Sequence, residues 1–200
     1  MSPPAVDESN PWAVLRTDVR FDCSYYVARQ DLVSFSGAAP RPYNTVRFKN
    51  NGVAVAPVDE DGRVTLVGQY RYPLDRYTWE MPAGGVKSGA NVVEVAKAEL
   101  SEETGLRARH WLKIIDGSAS PSTTDEFAWG YVAWGLEKGE AHPDPEEKLT
   151  LRTLPFAEAV DMVLRHEISH LASAALLLGI QVRLTRGDLP EELSQALLRR

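Results

Sequence analysis

The sequence predicts an α+β fold in which a mixed β-sheet packs against helices. Strand-like segments lie both before and after one helical segment that ends at Gly105, and two further helical segments close the chain. The 200 residues, 44% of them hydrophobic, are enough for one well-cored domain and a small accessory element. We expect the accessory element at residues 1–42 and the main domain at residues 43–200.

The N-terminal region is predicted to form the small β-element. After a polar, proline-rich start at residues 1–11, the stretch from 12 to 35 alternates apolar and polar side chains and is rich in β-formers. The segment at 37–42, Gly-Ala-Ala-Pro-Arg-Pro, interrupts this pattern. It is therefore expected to join the β-element to the main domain.

The main domain is predicted to open with a β-meander. The turn at 59–62, Asp-Glu-Asp-Gly, has the chemistry of a hairpin and separates two strand-like segments. Alternation and β-branched content predict six strands in this domain, at 43–48, 53–58, 64–70, 111–115, 127–136 and 149–154. The stretch at 171–180 is almost entirely apolar and predicts a buried helix, and a turn at 187–190 leads into a short terminal helix.

The central helix follows a glycine-rich turn and carries three carboxylates. At 100° per residue, Glu103 lies about 40° to one side of Glu99 and Glu102 about 60° to the other, so all three share one face. Like charges at this spacing repel one another unless a cation lies among them. We therefore predict a site for a hard divalent metal beside a loop whose backbone can approach phosphates closely. The alternative is a solvated acidic helix face.

Charge and cysteine content narrow the classes of partner. The formal net charge is −6, the pI is near 5.3 and no run of five or more basic residues occurs, so binding to nucleic acid or an anionic membrane is disfavoured. Cys23 is the only cysteine, which suits a reducing compartment. The sequence shows no secretory signal and no apolar run long enough to cross a bilayer. We expect a cytoplasmic protein that has no membrane partner.

Residues 84–106 resemble the Nudix box. The matching positions, at the correct spacing, are Gly84, Glu99, Leu100, Glu102, Glu103, Gly105 and Leu106. Two positions depart from the motif, because Ala90 replaces its first glutamate and Ala98 replaces its arginine. The flanking segments resemble the ADP-ribose and sugar-nucleotide pyrophosphatase branch of this superfamily; they are Gln-Tyr-Arg at 69–71, Trp-Glu at 79–80, Pro121 and the segment 146–156.

The resemblance implies an α/β/α sandwich with the Nudix fold. It also implies metal-dependent hydrolysis of the diphosphate link in a nucleoside diphosphate sugar, with a nucleoside monophosphate and a sugar phosphate as products. The expected cofactor is Mg²⁺ or Mn²⁺, since a divalent cation bound by oxygen ligands can neutralise a diphosphate and lower the pKa of a bound water. The N-terminal β-element resembles the small sheet that this branch uses to form homodimers.

The resemblance assigns roles to nine residues. The predicted metal ligands are the carboxylates of Glu99, Glu102 and Glu103 and the carbonyl of Ala83. The three carboxylates and Glu147, the candidate general base, form the catalytic set. The predicted substrate contacts are Arg71, Glu80, Gly84 and Gly85.

Several of these roles have a plainer alternative. The alternatives are an exposed turn for Glu147, a surface charge for Arg71 and an ordinary acid at a strand end for Glu80. Three aromatic residues of the N-terminal element are candidates for stacking on a nucleobase, although aromatic residues in strands are more often core; they are Trp12, Tyr25 and Tyr26.

The replacement at position 98 opens an alternative function. In the family, the arginine at this position holds the following glutamate through a charge-assisted hydrogen bond, which an alanine cannot make. Lys97 is no substitute, because it lies about 160° from Glu99 on the helical wheel. Either another cation orients Glu99 or the site is weakened. The second case predicts a nucleotide-binding or regulatory protein with the same fold and little or no activity.

The segment His166-Glu-Ile-Ser-His170 satisfies the H-E-x-x-H signature of zinc metalloproteases. Glu191 or Glu192 would then supply a third ligand. The segment leads directly into the apolar stretch at 171–180, whereas a zinc protease needs this signature on a helix in an open cleft. We therefore favour a helix junction at the surface and keep the metalloprotease as a remote alternative.

Overall fold

The computed structural model describes residues 8–142 and 148–199, which form two compact units. One unit contains the described residues up to Lys49 together with Ser120–Asp125, and the other contains the rest of the described chain. The predicted boundary at residue 42 is therefore corrected to follow Lys49. The physical reason is that the strand after the proline-rich joint pairs with the N-terminal strands and not with the main domain.

The N-terminal unit is a three-stranded antiparallel sheet. Its strands are β1 (Trp12–Asp22), β2 (Tyr26–Phe35) and β3 (Arg41–Phe48), with β2 in the centre. The segment at 120–125 belongs to the same unit. Thr124 forms a bridge with Val46, and the Asp125 carboxylate accepts a hydrogen bond from the Phe48 N–H at 2.9 Å.

The second unit contains two sheets. The four-stranded sheet is made of β4 (Asn50–Pro57), β7 (Ala83–Lys87), β8 (Leu106–Ser118) and β9 (Phe127–Lys138). Its order is β7-β4-β9-β8, and only the pair β4 and β9 is parallel. The three-stranded antiparallel sheet has the order β10-β5-β6, from β5 (Arg63–Arg71), β6 (Arg76–Glu80) and β10 (Thr150–Pro155). The predicted turn at 59–62 therefore joins strands of different sheets.

Four helices complete the second unit: α1 (Val92–Thr104), α2 (Phe156–Leu164), α3 (Leu171–Arg186) and α4 (Glu191–Leu197). Successive residues of a strand face opposite sides of its sheet. In β4, Val53 and Val55 join the core under α1, whereas Ala54 and Ala56 join the core that holds the buried side chains of α2, α3 and α4. The sheet is thus covered by helices on both faces, and the predicted fold class is confirmed.

None of these helices has the length and apolar character needed to span a membrane, as far as the described part of the chain extends.

Candidate active site

Helix α1 begins and ends where its capping residues require. The Asn91 side chain accepts hydrogen bonds from the Val93 and Glu94 N–H groups at 3.1 and 3.4 Å, as an N-cap does. Gly105 ends the helix with a left-handed φ of 69°. A Cβ at Gly105 would lie 2.9 Å from the Ala141 nitrogen, so the closely packed neighbouring chain also requires glycine there.

Packing of α1 places two of its glutamates beside β7. Ala96 and Leu100 are fully buried against the sheet, which fixes the rotation of the helix about its axis. Glu103 is only 6% exposed, and its carboxylate accepts a hydrogen bond from the Ala83 N–H at 3.1 Å. Two of the predicted site residues therefore meet where β7 begins.

Glu99 lies against the next residue of the same strand. A Cβ added to Gly84 would overlap the Glu99 carboxylate, so only glycine leaves room for this side chain. Gly85, by contrast, is exposed, and a Cβ there would make an ordinary contact of 3.5 Å with Asn50. We call Glu99, Glu103, Ala83 and Gly84 the glutamate pair site.

The glutamate pair site has the donor chemistry of a Mg²⁺ or Mn²⁺ site. Magnesium is commonly bound through one or two carboxylates together with water and substrate phosphates. The two carboxylates and the adjacent backbone fit this requirement. Glu102 is exposed, and within the described residues no three His, Cys, Asp or Glu side chains are grouped closely enough to hold a metal by themselves. The three glutamates thus do not form a complete ligand set.

The two departures from the box are exposed positions. Ala90 precedes the helix, and Ala98 lies on its solvent side. Lys97 donates a hydrogen bond to Glu94 at 2.8 Å, one turn earlier, which agrees with the predicted direction of its side chain away from Glu99. The side chain at position 98 therefore makes no buried contribution to the site.

A second group of polar residues surrounds Arg71. Its Nε and Nη2 atoms donate to the two carboxylate oxygens of Glu80 at 2.9 and 2.6 Å, and the Thr78 hydroxyl also donates to this carboxylate at 2.7 Å. Burial alone would raise the pKa of Glu80, which is 3% exposed, but the Arg71 and Thr78 hydrogen bonds and the charges of Arg71 and His170 bring it below the usual value. Glu80 is therefore ionised and holds Arg71 in position, and its contact with substrate stays a prediction.

Two other members of this group, His170 and Ser173, were hard to predict from the sequence. His170 Nδ1 lies 3.6 Å from a Glu80 oxygen and 2.8 Å from the hydroxyl of Ser173, which is fully buried and accepts a hydrogen bond from the Met81 N–H at 2.9 Å. A polar Ser173 within an apolar stretch was the one available signal. Arg71, Glu80, His170 and Ser173 form what we call the Arg71 cluster, and the first three line a cavity of about 280 Å³.

Comparison with known proteins places the chain in a family. Residues 49–175 match the NUDIX domain. The chain belongs to the Nudix family. It is 36% identical over 132 residues to an ADP-ribose pyrophosphatase of Mycobacterium tuberculosis, a match that covers 64% of this chain and 63% of that protein. It is 31% identical over 135 residues to an ADP-ribose pyrophosphatase of Bacillus subtilis, covering 66% of this chain and 72% of the relative.

The same fold occurs in a solved structure described as an ADP compounds hydrolase. That structure has a TM-score of 0.81 and 20% identity, and the match covers 92% of this chain and 100% of the other. This likeness shows the fold, and the family match and the two relatives confirm the predicted resemblance to the Nudix superfamily and its ADP-ribose branch. The chain spans less than two thirds of the length of the Mycobacterium relative.

The zinc-protease signature of this Nudix chain lacks its helix. Residues 165–170 connect α2 and α3 without helical structure, and His166 has a left-handed φ of 61°. The two histidines are therefore not one helical turn apart, and the metalloprotease alternative loses its geometric basis. His170 instead belongs to the Arg71 cluster.

The remaining predicted residues are Glu147 and three aromatic residues of the N-terminal element. Glu147 falls outside the described residues. Trp12 packs edge-on against Phe35 and Tyr43 in the N-terminal sheet, with ring centroids 4.8 and 5.4 Å apart. Tyr25 is exposed and Tyr26 is half-buried. Stacking on a nucleobase stays a prediction for these aromatic residues.

Proposed function

We propose that this protein hydrolyses the diphosphate link of a nucleoside diphosphate sugar of the ADP-ribose type and releases a nucleoside monophosphate and a sugar phosphate. The observation that carries the proposal is the convergence of Glu99 and Glu103 on the backbone of Ala83 and Gly84. The relatives named ADP-ribose pyrophosphatase support the choice of substrate.

The proposed cofactor is Mg²⁺ or Mn²⁺. When bound, the cation supplies charge neutralisation to the diphosphate and a bound water of lowered pKa. Glu99 and Glu103 would hold it together with the Ala83 carbonyl, and the exposed Glu102 is a further candidate ligand. Splitting a diphosphate depends chiefly on positioning and on stabilising negative charge, which are the tasks that these oxygen ligands serve.

Arg71 is proposed to bind a phosphate of the substrate. A guanidinium held in a bidentate pair has a fixed plane, and this makes it suitable for directional recognition of phosphate oxygens. Arg71 lines the cavity of the Arg71 cluster, and its side chain is 38% exposed. The backbone of Gly84 and Gly85 is the second proposed phosphate contact, and Glu147 remains the proposed general base.

We also propose that the protein is a cytoplasmic homodimer. The N-terminal sheet exposes several large apolar side chains on β1: Val14, Leu15, Val19 and Phe21, which are 54–62% exposed. Exposure of several large apolar side chains along one strand is a feature of interaction surfaces. Light scattering should give a dimer mass that falls to the monomer mass in a Val19→Ser, Phe21→Ser variant; a monomeric wild type would contradict the proposal.

Activity is tested by incubating the purified protein with ADP-ribose and with GDP-mannose in the presence of Mg²⁺ or Mn²⁺. We expect release of the nucleoside monophosphate. Glu103→Gln should lower the rate by about 10- to 100-fold, since it weakens an oxygen ligand and its hydrogen bond to Ala83. Glu94→Gln is the matched control, because Glu94 is exposed on the same helix and pairs with Lys97. A wild-type rate no higher than that of Glu103→Gln would overturn the enzymatic function.

The second candidate function is a Nudix-fold nucleotide-binding or regulatory protein. It is favoured by the alanine at position 98, which removes the family's usual partner of Glu99. Calorimetry with ADP-ribose distinguishes the candidates. Binding with a 1:1 stoichiometry and no turnover in either metal would establish the second candidate in place of the first.

A further inference from the structure

His170 occupies a junction between the two parts of the candidate site. Its Nδ1 atom contacts Ser173, whose hydroxyl oxygen accepts the Met81 N–H. Met81 lies two residues before Ala83, where the glutamate pair site begins. The same Nδ1 atom lies 3.6 Å from Glu80, which holds Arg71. One imidazole therefore faces both the backbone that leads to the metal-binding glutamates and the carboxylate that orients the arginine.

The neutral form of the His170 imidazole suits its contacts with Ser173 and Glu80. The Ser173 oxygen already accepts from the Met81 N–H, so its own proton can be donated to an unprotonated Nδ1. The hydrogen bonds of the fully buried Ser173 are then complete, and Glu80 is left to Arg71 and Thr78. A ring protonated on Nε2 alone thus satisfies every one of these contacts.

The protonated ring changes the arrangement. Nδ1 becomes a donor and can no longer accept the Ser173 proton. The Glu80 oxygen 3.6 Å away is the one that accepts the shorter Arg71 hydrogen bond. An imidazolium would therefore compete with the guanidinium for a single carboxylate oxygen. Like charge between the imidazolium and Arg71 would add to this competition.

We propose that His170 is a positioning residue for Arg71. When the imidazole is neutral, the Glu80 carboxylate pairs with the Arg71 guanidinium. When the imidazole is protonated, it draws the Glu80 carboxylate away from that guanidinium. This inference rests on the proposed function, because it assumes that Arg71 binds a phosphate of the substrate. It predicts that substrate binding weakens on the acid side of neutrality, while the chemical step at the glutamate pair site is little changed.

Burial of the His170 ring favours its neutral form near pH 7. Burial lowers the pKa of the imidazole, Glu80 raises it, Arg71 lowers it and Glu126 raises it, and the net result lies below the usual value. His170 is also the residue that precedes α3, where the positive end of the helix dipole disfavours a cation. Protonation of His170 is thus expected at a pH below the ordinary imidazole pKa of about 6.5.

The first test compares the pH dependence of ADP-ribose hydrolysis in the wild type, His170→Asn and His166→Asn. Asparagine at 170 keeps an acceptor for Ser173 and does not titrate. His166 is the matched control, because it is exposed on the same connection and its left-handed backbone tolerates asparagine.

For the wild type, KM should rise by up to about tenfold for each pH unit below the pKa of His170, since the protonated fraction grows by that factor. The value of kcat should stay nearly constant over this range. His166→Asn should keep the KM rise and His170→Asn should lose it. A rise of the same size in His170→Asn would overturn the proposal.

The second test does not depend on activity. The titration of the His170 ring nitrogens is followed by NMR in the wild type, in Glu80→Gln and in Glu167→Gln, a control that removes a nearby exposed carboxylate. The pKa of His170 should fall in Glu80→Gln and stay unchanged in the control. An unchanged value in Glu80→Gln would overturn the coupling. If the wild type does not hydrolyse ADP-ribose, the proposed function fails while this titration still decides whether His170 and Glu80 are coupled.

Discussion

Glu103 and Glu80 are both buried glutamates, yet they are held by partners of different kinds. Glu103 accepts a hydrogen bond from the backbone of Ala83, and a peptide N–H neither titrates nor changes rotamer. Glu80 is held by side chains of Arg71 and Thr78 and faces a histidine. The position of the Glu103 carboxylate is thus tied to the strand backbone, whereas the Arg71 cluster depends on the charge and conformation of several side chains.

The largest expected effect comes from displacing Glu99 in the glutamate pair site. Gly84→Ala places a methyl group where the Glu99 carboxylate lies, so the carboxylate must move. A displacement of about 1 Å at a reacting centre can lower a rate about 100-fold, and we expect at least that loss of kcat. Steady-state hydrolysis of ADP-ribose is the measurement.

Gly117→Ala is the matched control for this substitution, because Gly117 is exposed in β8 and a Cβ there would meet no other atom within 4 Å. The rate should change by less than about threefold, as for a surface substitution with no unfavourable contact. Equal losses in the two variants would mean that a glycine-to-alanine change lowers the rate without any overlap with Glu99.

A smaller effect is expected from a substitution in the Arg71 cluster. Glu80→Gln removes the charge that orients Arg71 but keeps an acceptor for Thr78. Losing one charge-assisted pair costs about 1.5–3 kcal/mol, which we expect to appear as a rise in KM of about tenfold or more with little change in kcat. Glu60→Gln, an exposed change in the turn before β5, should leave both constants unchanged. A fall in kcat with constant KM would instead assign Glu80 to the chemical step.

The smallest effect is expected from restoring the arginine of the box. Position 98 is exposed, so Ala98→Arg introduces no clash, and the new guanidinium can approach the neighbouring Glu99. Residues that orient the ligands of a metal site typically change metal affinity or activity by about 10- to 100-fold. A gain of up to about tenfold in kcat/KM is therefore expected if the natural site is weakened. An unchanged or lower value would show that another group already orients Glu99.

Local sequence signals predicted the helix that carries the candidate site and the loop before it. The end of the helix at Gly105 and the position of Glu99 and Glu103 beside the glycine-rich loop depend on residues that are close together in the chain, although Glu102 is exposed. The role of these residues in metal binding stays a prediction. The same signals predicted the mixed sheet and the buried helix α3. They also assigned Lys97 correctly to the side of α1 away from Glu99.

The Arg71 cluster could not be predicted in this way. His170 and Ser173 follow Arg71 by about one hundred residues, and only tertiary packing brings α3 to the end of β6. The H-E-x-x-H pattern was misleading for a related reason, because the segment connects two helices and its backbone turns left-handed at His166. The domain boundary was misplaced because β3 follows a proline-rich stretch yet pairs with β2.

The segment between β8 and β9 has a consequence for engineering. Ser120–Asp125 belongs to the N-terminal unit, where Asp125 accepts the Phe48 N–H and the Ser122 carbonyl accepts the Tyr43 hydroxyl at 2.7 Å. The unit is therefore assembled from two stretches that are distant in the chain, and cutting after Lys49 would leave one stretch behind. A chimera that exchanges the N-terminal sheet between relatives would have to carry the 120–125 segment with it as a second graft.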